Sequence, residues 1–207
     1  MLKLAPRSTR SHLGVFAMAC AVAFPGIQAA RANESTLADS IHLANQRLQL
    51  NGQAVGQRFV FKIYTIGLYL QEPTNRSQDV LQAQGPRRLA IAMLREISGE
   101  EFADAIKDFL AESVDQFSPH VLGQVRSLCH AITQLPAGLP KGSLLTIDWV
   151  PGTGAVVELN RERLVKPSND VAFFNALLNV WLGEKPLDPS IKANLLGQHR
   201  PLHAANS

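Results

Sequence analysis

Along residues 58–70, RFVFKIYTIGLYL, aromatic and β-branched side chains follow one another with no proline and a single glycine. That composition predicts a strand. A period of two sends Phe59, Phe61, Ile63, Thr65, Gly67 and Tyr69 to one face, which is nearly all apolar. Arg58, Val60, Lys62, Tyr64, Ile66, Leu68 and Leu70 take the other, which opens polar and then turns apolar. Such a strand either presents hydrogen-bonding groups to a cleft or is a core strand whose polar end reaches solvent. Just upstream, residues 47–52 (RLQLNG) alternate and end in Asn-Gly, a turn signal that predicts a hairpin with the long strand. Residues 33–45 are polar with sparse apolar positions and read as a loose or helical lead-in.

Downstream, residues 71–78 are loop-like, a short helix is expected near Val80, and Gly85-Pro86 ends it. Residues 89–97 read as a strand. Ser98-x-x-Glu101 is a capping box. The helix behind it carries Phe102, Ile106, Phe109, Leu110, Val114 and Phe117 as one apolar stripe. Ser118-Pro119 restarts a helix. Residues 144–150 and 155–159 form a second hairpin through Pro151-Gly152-Thr153-Gly154, and a short strand is expected at 163–166. Asn169 is read as the cap of a helix over 171–182, a last helix spans 191–196, and residues 198–207 read as a disordered tail. Strands, a helix pair, a hairpin and more helices, with no repeated βαβ unit, predict an α+β domain on an antiparallel sheet.

The first 32 residues read differently. Lys3, Arg7 and Arg10 precede a 12-residue apolar run at 13–24, and Ala30-x-Ala32 follows. This is the pattern of a cleaved signal peptide, so the mature chain is expected to be periplasmic or secreted. The apolar run is too short for a stable membrane span. The whole chain has 20 basic and 17 acidic residues, but the part after Ala32 has 16 and 17. The basic surplus belongs to the leader, and nothing points to nucleic acid. Cys20 lies in the leader, with Ala17 where a lipoprotein signal favours leucine, so lipidation is a weak alternative. Cys129 is then the one mature cysteine and can form no internal disulfide.

Catalytic patterns are sparse. There is no H-E-x-x-H, and Pro201 separates His199 from His203, so no metal is expected. There is no G-x-S-x-G elbow, and no cofactor is expected. Arg58, Lys62 and Tyr64 beside the apolar helix that starts at Phe102 would suit an amphipathic anion such as a carboxylate or phenolate. The plainer alternative, two solvent-facing cations and a half-buried ring, is favoured by the residues alone.

Four stretches carry a resemblance. Lys62-Ile63-Tyr64-Thr65-Ile66-Gly67-Leu68-Tyr69-Leu70 is similar to the K-F-T-A-I-G-V-Y-L strand of chalcone isomerases. Ile97-Ser98-Gly99-Glu100-Glu101-Phe102 resembles that family's following turn and helix start. Trp149-Val150-Pro151-Gly152-Thr153-Gly154 and Trp181-Leu182-Gly183-Glu184-Lys185-Pro186 look like its bacterial, exported branch. The resemblance covers residues 46–197. It implies an open-faced β-sandwich, a long antiparallel sheet with helices packed on one face and a ligand cleft between.

The family includes enzymes that cyclise chalcones and members that bind fatty acids without catalysis. In the enzymes an arginine, a strand threonine, and a tyrosine and an asparagine on the first helix shape the cleft. Here the arginine position holds Gly56, with Arg58 two residues on as a substitute, and the threonine position holds Tyr64. The helix positions hold Phe102 and Phe109. Without a fixed cation an oxyanion transition state loses its main stabilisation, on the order of several kcal/mol. The expected function is therefore non-catalytic binding of an apolar or amphipathic, fatty acid-like molecule, with Arg58, Lys62, Tyr64, Phe102 and Phe109 as candidate contacts. Two alternatives are an isomerase with a rearranged site and an envelope interaction module with a collapsed cleft.

Overall fold

The computed structural model describes residues 37–112 and 114–198. The expected signal peptide at 1–32 lies outside them, as do residues 33–36 of the lead-in and 199–207 of the tail. Among the described residues, seven strands form one antiparallel sheet whose spatial order is the chain order: β1 (Ser40–Leu43), β2 (Gln46–Arg58), β3 (Phe61–Leu70), β4 (Arg87–Met93), β5 (Leu144–Val150), β6 (Gly154–Leu159) and β7 (Glu162–Arg163). Helix α1 (Ser77–Gln82) joins β3 to β4, α2 (Gly99–Ala111) and α3 (Pro119–Thr133) join β4 to β5, and α4 (Val171–Leu182) and α5 (Pro189–Leu195) follow β7. The curled sheet with its helices is the α+β architecture expected.

Alternation along the strands sorts the side chains. Ile66, Leu68 and Leu70 of β3 and Leu89, Ile91 and Met93 of β4 face the helices. The main core forms there, against Phe102, Ile106 and Phe109 of α2, Val125 and Ile132 of α3, and Phe174 and Trp181 of α4. Tyr69 and Ala90 point the other way and make a smaller cluster with Leu48. On that face Arg88 holds Asp148, directly opposite it on β5, through two charge-assisted hydrogen bonds of 2.6 and 2.5 Å.

Several boundaries depart from the sequence reading. The Asn51-Gly52 pair does not turn the chain. It lies inside β2, where the pairing steps from Leu50↔Tyr69 to Gly52↔Leu68 and leaves Asn51 as the extra residue of a β-bulge. The Asn51 amide donates to Thr74 O (2.9 Å) and Leu195 O (2.7 Å) and accepts from Thr74 N (2.8 Å). A Cβ on Gly52 would stand 2.0 Å from the Asn194 carbonyl oxygen. The glycine is there because α5 docks on the strand. The turns lie elsewhere. Ala44 and Asn45, both at positive φ, reverse the chain between β1 and β2, so the lead-in contains a strand. Phe59 and Val60 reverse it between β2 and β3.

The stretch 58–70 is thus one strand plus the last residue of the preceding one, with Arg58 paired to Phe61 across the hairpin. The strand expected at 89–97 starts at Arg87 and ends at Met93. The capping box forms as read, with Ser98 Oγ accepting from Glu101 N and Glu101 Oε2 from Ser98 N. The helix stops at Ala111, before Val114 and Phe117. Asp170, rather than Asn169, caps α4, its carboxylate accepting from Ala172 N at 2.9 Å. Gln198, assigned to the tail, donates to Asn75 O.

Candidate functional site

An open cleft of about 560 Å³ lies between the β2–β3 hairpin, α2 and the α4–α5 connection. Each wall comes from a different element. The hairpin contributes Arg58, Phe59, Phe61 and Tyr64. Helix α2, fixed in direction by the capping box, presents Phe102 and Ile106 one turn apart. The far wall is Trp181 from the end of α4, and Asp188 and Ile191 at the start of α5.

A second bulge shapes the near wall. The pairing Gly56↔Tyr64 is followed by Gln57↔Lys62, so Ile63 is the extra residue on β3. Its carbonyl accepts from Leu94 N (2.9 Å) and Arg95 N (3.3 Å), where the β3–β4 ladder ends. The phase of the strand shifts there, so Phe61, Ile63 and Tyr64 all reach the cleft, although simple alternation puts them on different faces. It also brings in Arg95, whose guanidinium stacks on the Phe61 ring at 4.4 Å.

At the floor, Trp181 Nε1–H donates to Tyr64 Oη at 3.1 Å. Since the tyrosine oxygen accepts there, its own O–H is left to donate toward the cleft. Burial pushes the Tyr64 phenol above its ordinary value, and the Asp188 carboxylate adds to the rise. Asp188 itself is held below the usual carboxylate range by the Ser190 hydroxyl and the first amides of α5. Tyr64 is therefore a neutral donor at physiological pH and supplies no phenolate base.

Of the candidates read from the sequence, Arg58, Tyr64 and Phe102 line this cleft. Lys62, exposed on β3, is not among the lining residues, and Phe109 is 7 % exposed within the main core. Gly56, where the family's arginine was expected, faces Tyr64 across the strands, and a Cβ there would stand 2.3 Å from the tyrosine ring. The ring fills the space into which a side chain at 56 would project. Sequence reasoning missed Arg95, Asp188 and Trp181 as wall residues. Arg95 was hidden because the strand was drawn past Met93. Trp181 stood in a quoted motif, but only tertiary packing brings it to Tyr64, 117 positions away.

A family profile described as "Chalcone isomerase-like" matches residues 29–197. No curated protein matches the chain in sequence. Among solved structures, a fatty-acid binding protein of Arabidopsis thaliana is similar in fold, with a TM-score of 0.60 over 78 % of this chain and 91 % of its own, at 12 % identity.

Proposed function

Because this chain belongs to the chalcone isomerase-like family, we propose that it is a non-catalytic binder of an amphipathic, fatty acid-like anion. The observation that carries this reading is the polarity gradient of the cleft. Arg58 and Arg95 stand with Phe61 on its hairpin side, while Phe102, Ile106 and Ile191 make its interior apolar. A carboxylate head would pair with the guanidinium groups and an acyl chain would lie against α2, with the Tyr64 hydroxyl as a donor between them. A small apolar gap, bounded by Leu128, Ile132 and Leu177, shares Phe102, Ile106 and Trp181 with the cleft. Rotation of the Phe102 and Trp181 rings would extend the tail's path toward the core. The fold neighbour, a fatty-acid binding protein, supports the ligand class. The leader pattern at 1–32 supports an exported protein, acting in the periplasm or outside the cell.

Native mass spectrometry of gently purified protein is expected to show a co-purifying acyl species. Calorimetric titration with a C16 carboxylate is expected to saturate one site. Ile106→Trp, which fills the cleft, should abolish both signals. Arg58→Ala with Arg95→Ala should weaken binding roughly tenfold or more, as the loss of a charge-assisted pair costs about 1.5–3 kcal/mol. A protein that is always empty and takes up no fatty acid sinks the reading. Chalcone cyclisation, followed by absorbance, should be absent: Gly56 provides no cation at the family's arginine position, and Tyr64 stays protonated.

A further inference from the structure

The turn between β2 and β3 projects three large apolar side chains: Phe59 and Val60 are 88 % and 84 % exposed, and Phe61 is 53 % exposed. Scattered surface leucines are ordinary, but three consecutive apolar residues at one hairpin tip are not. The backbone sharpens the point. Phe59 has φ 56°, the left-handed region that favours glycine or asparagine and disfavours a bulky residue. The fold would gain by a glycine here, and water would favour a polar residue. The aromatic ring serves neither: it borders the cleft, yet Phe59 is 88 % exposed and so open to a contact outside the chain.

The surroundings decide the partner. Arg58 and Lys62 flank the tip, Arg95 stacks on Phe61, and no acidic residue occurs anywhere from Gln46 to Leu70. Three carboxylates, Glu96, Glu101 and Asp188, line the cleft that Phe59 and Phe61 also border. Glu101 is engaged in the capping box and Asp188 caps α5; Glu96 and Glu101 are exposed. Aromatic and aliphatic side chains at an apex, ringed by cations, complement a surface that is anionic outside and apolar a few ångströms below. Phe59 and Phe61 also line the cleft, so a surface that receives the tip also meets the cleft's opening.

We propose that the β2–β3 tip is a membrane-docking element that seats the cleft mouth against an anionic lipid bilayer. Phe59 and Val60 enter the interface, and Arg58, Lys62 and Arg95 meet the headgroups. Docking stands on the tip alone. That the bilayer supplies or receives the cleft's ligand rests on the binding reading above.

The test is hydrogen exchange by mass spectrometry on the full chain, with vesicles of phosphatidylcholine alone or with added phosphatidylglycerol. Peptides are read separately, so slowed exchange over residues 57–62 reports the tip and not the leader. The expected result is protection of that peptide with phosphatidylglycerol vesicles, little with neutral ones, and loss of protection as salt rises. Val60→Asp, which leaves the cleft lining intact, and Phe59→Ser should each lower protection at least tenfold while core peptides exchange as before. Lys62→Glu should weaken it less. Unchanged exchange at the tip overturns the proposal. So does protection that is the same without vesicles and grows with protein concentration, which would mark a contact between copies of the chain. The two readings fail separately: vesicle docking by a protein that binds no fatty acid sinks the ligand, and fatty acid binding by a tip indifferent to vesicles sinks the docking.

Discussion

Gly56 and Tyr64 face each other across β2 and β3, and the tyrosine ring occupies the volume above the glycine. Gly56→Ala should therefore destabilise by about 1–3 kcal/mol through overpacking. In a Tyr64→Thr background the same change should cost little, and a double-mutant cycle read by chemical denaturation should show coupling of about 0.5–3 kcal/mol. Additive effects would mean that the ring does not occupy that space. Arg87 is the other informative residue. It is 1 % exposed, its guanidinium lies 5.1 Å from the Phe174 ring and 5.9 Å from that of Trp149, and none of its three nitrogens meets an acceptor among the described residues. Burial lowers its pKa to about 10, so it is still charged at neutral pH. The ring faces offset only part of the desolvation cost. Arg87→Met should leave thermal stability unchanged or raise it, by up to about 4 kcal/mol in the most favourable comparable cases. A clear loss would show that the charge itself is needed.

At the scale of elements, β3 carries both tyrosines of the chain, one on each face of the sheet. Burial raises the phenol of Tyr64, and burial raises that of Tyr69 to about 12, although Arg88 pulls it down. Both native values lie above the unfolded value of 10.0. The unfolded chain therefore loses these protons first, and their contribution to stability, complete below pH 10, is lost as pH rises toward about 12. Tyrosinate absorbance should lag behind that of free tyrosine and then rise together with unfolding; titration at pH 10 with the fold intact would contradict it. Elements also show what could be read in advance. The capping box, the proline start of α3 and the β5–β6 hairpin depend on neighbours in sequence, and they form as expected. Asn51-Gly52 misled because two rules compete for the same dipeptide. It is a preferred turn, but it also suits a bulge onto which another backbone closes, and only α5, some 140 positions away, decides between them. The bulge at Ile63, which brings Tyr64 into the same cleft as Phe61 and Ile63, left no local mark. Tyr64 and Phe102 were readable as wall residues because each lies in a strong periodic pattern. Trp181 and Asp188 were not, since their role depends on how the helices meet.

At the scale of the molecule, strands pair in the order in which they occur, and the long-range work falls to α5. It docks on β2 through Asn51 and, with Trp181 of α4, supplies the far wall of the cleft. A chain ending at Gly183 should lose cooperative thermal unfolding, since the Asn51 amide would be left without its Leu195 partner. Asn51→Leu should show the same weakness in milder form, about 1–3 kcal/mol, from carbonyls deprived of their donor. The docking has a topological consequence. Leu50 N donates to Asp39 O at 2.9 Å, and its neighbour Asn51 donates to Leu195 O at 2.7 Å. The segment leading into β1 and the end of α5 thus meet two adjacent residues of one strand. Joining Gln198 to Leu37 by a short glycine–serine linker, and reopening the chain in the exposed Pro151–Thr153 turn, should give a circular permutant that folds to the same sheet and keeps the same cleft.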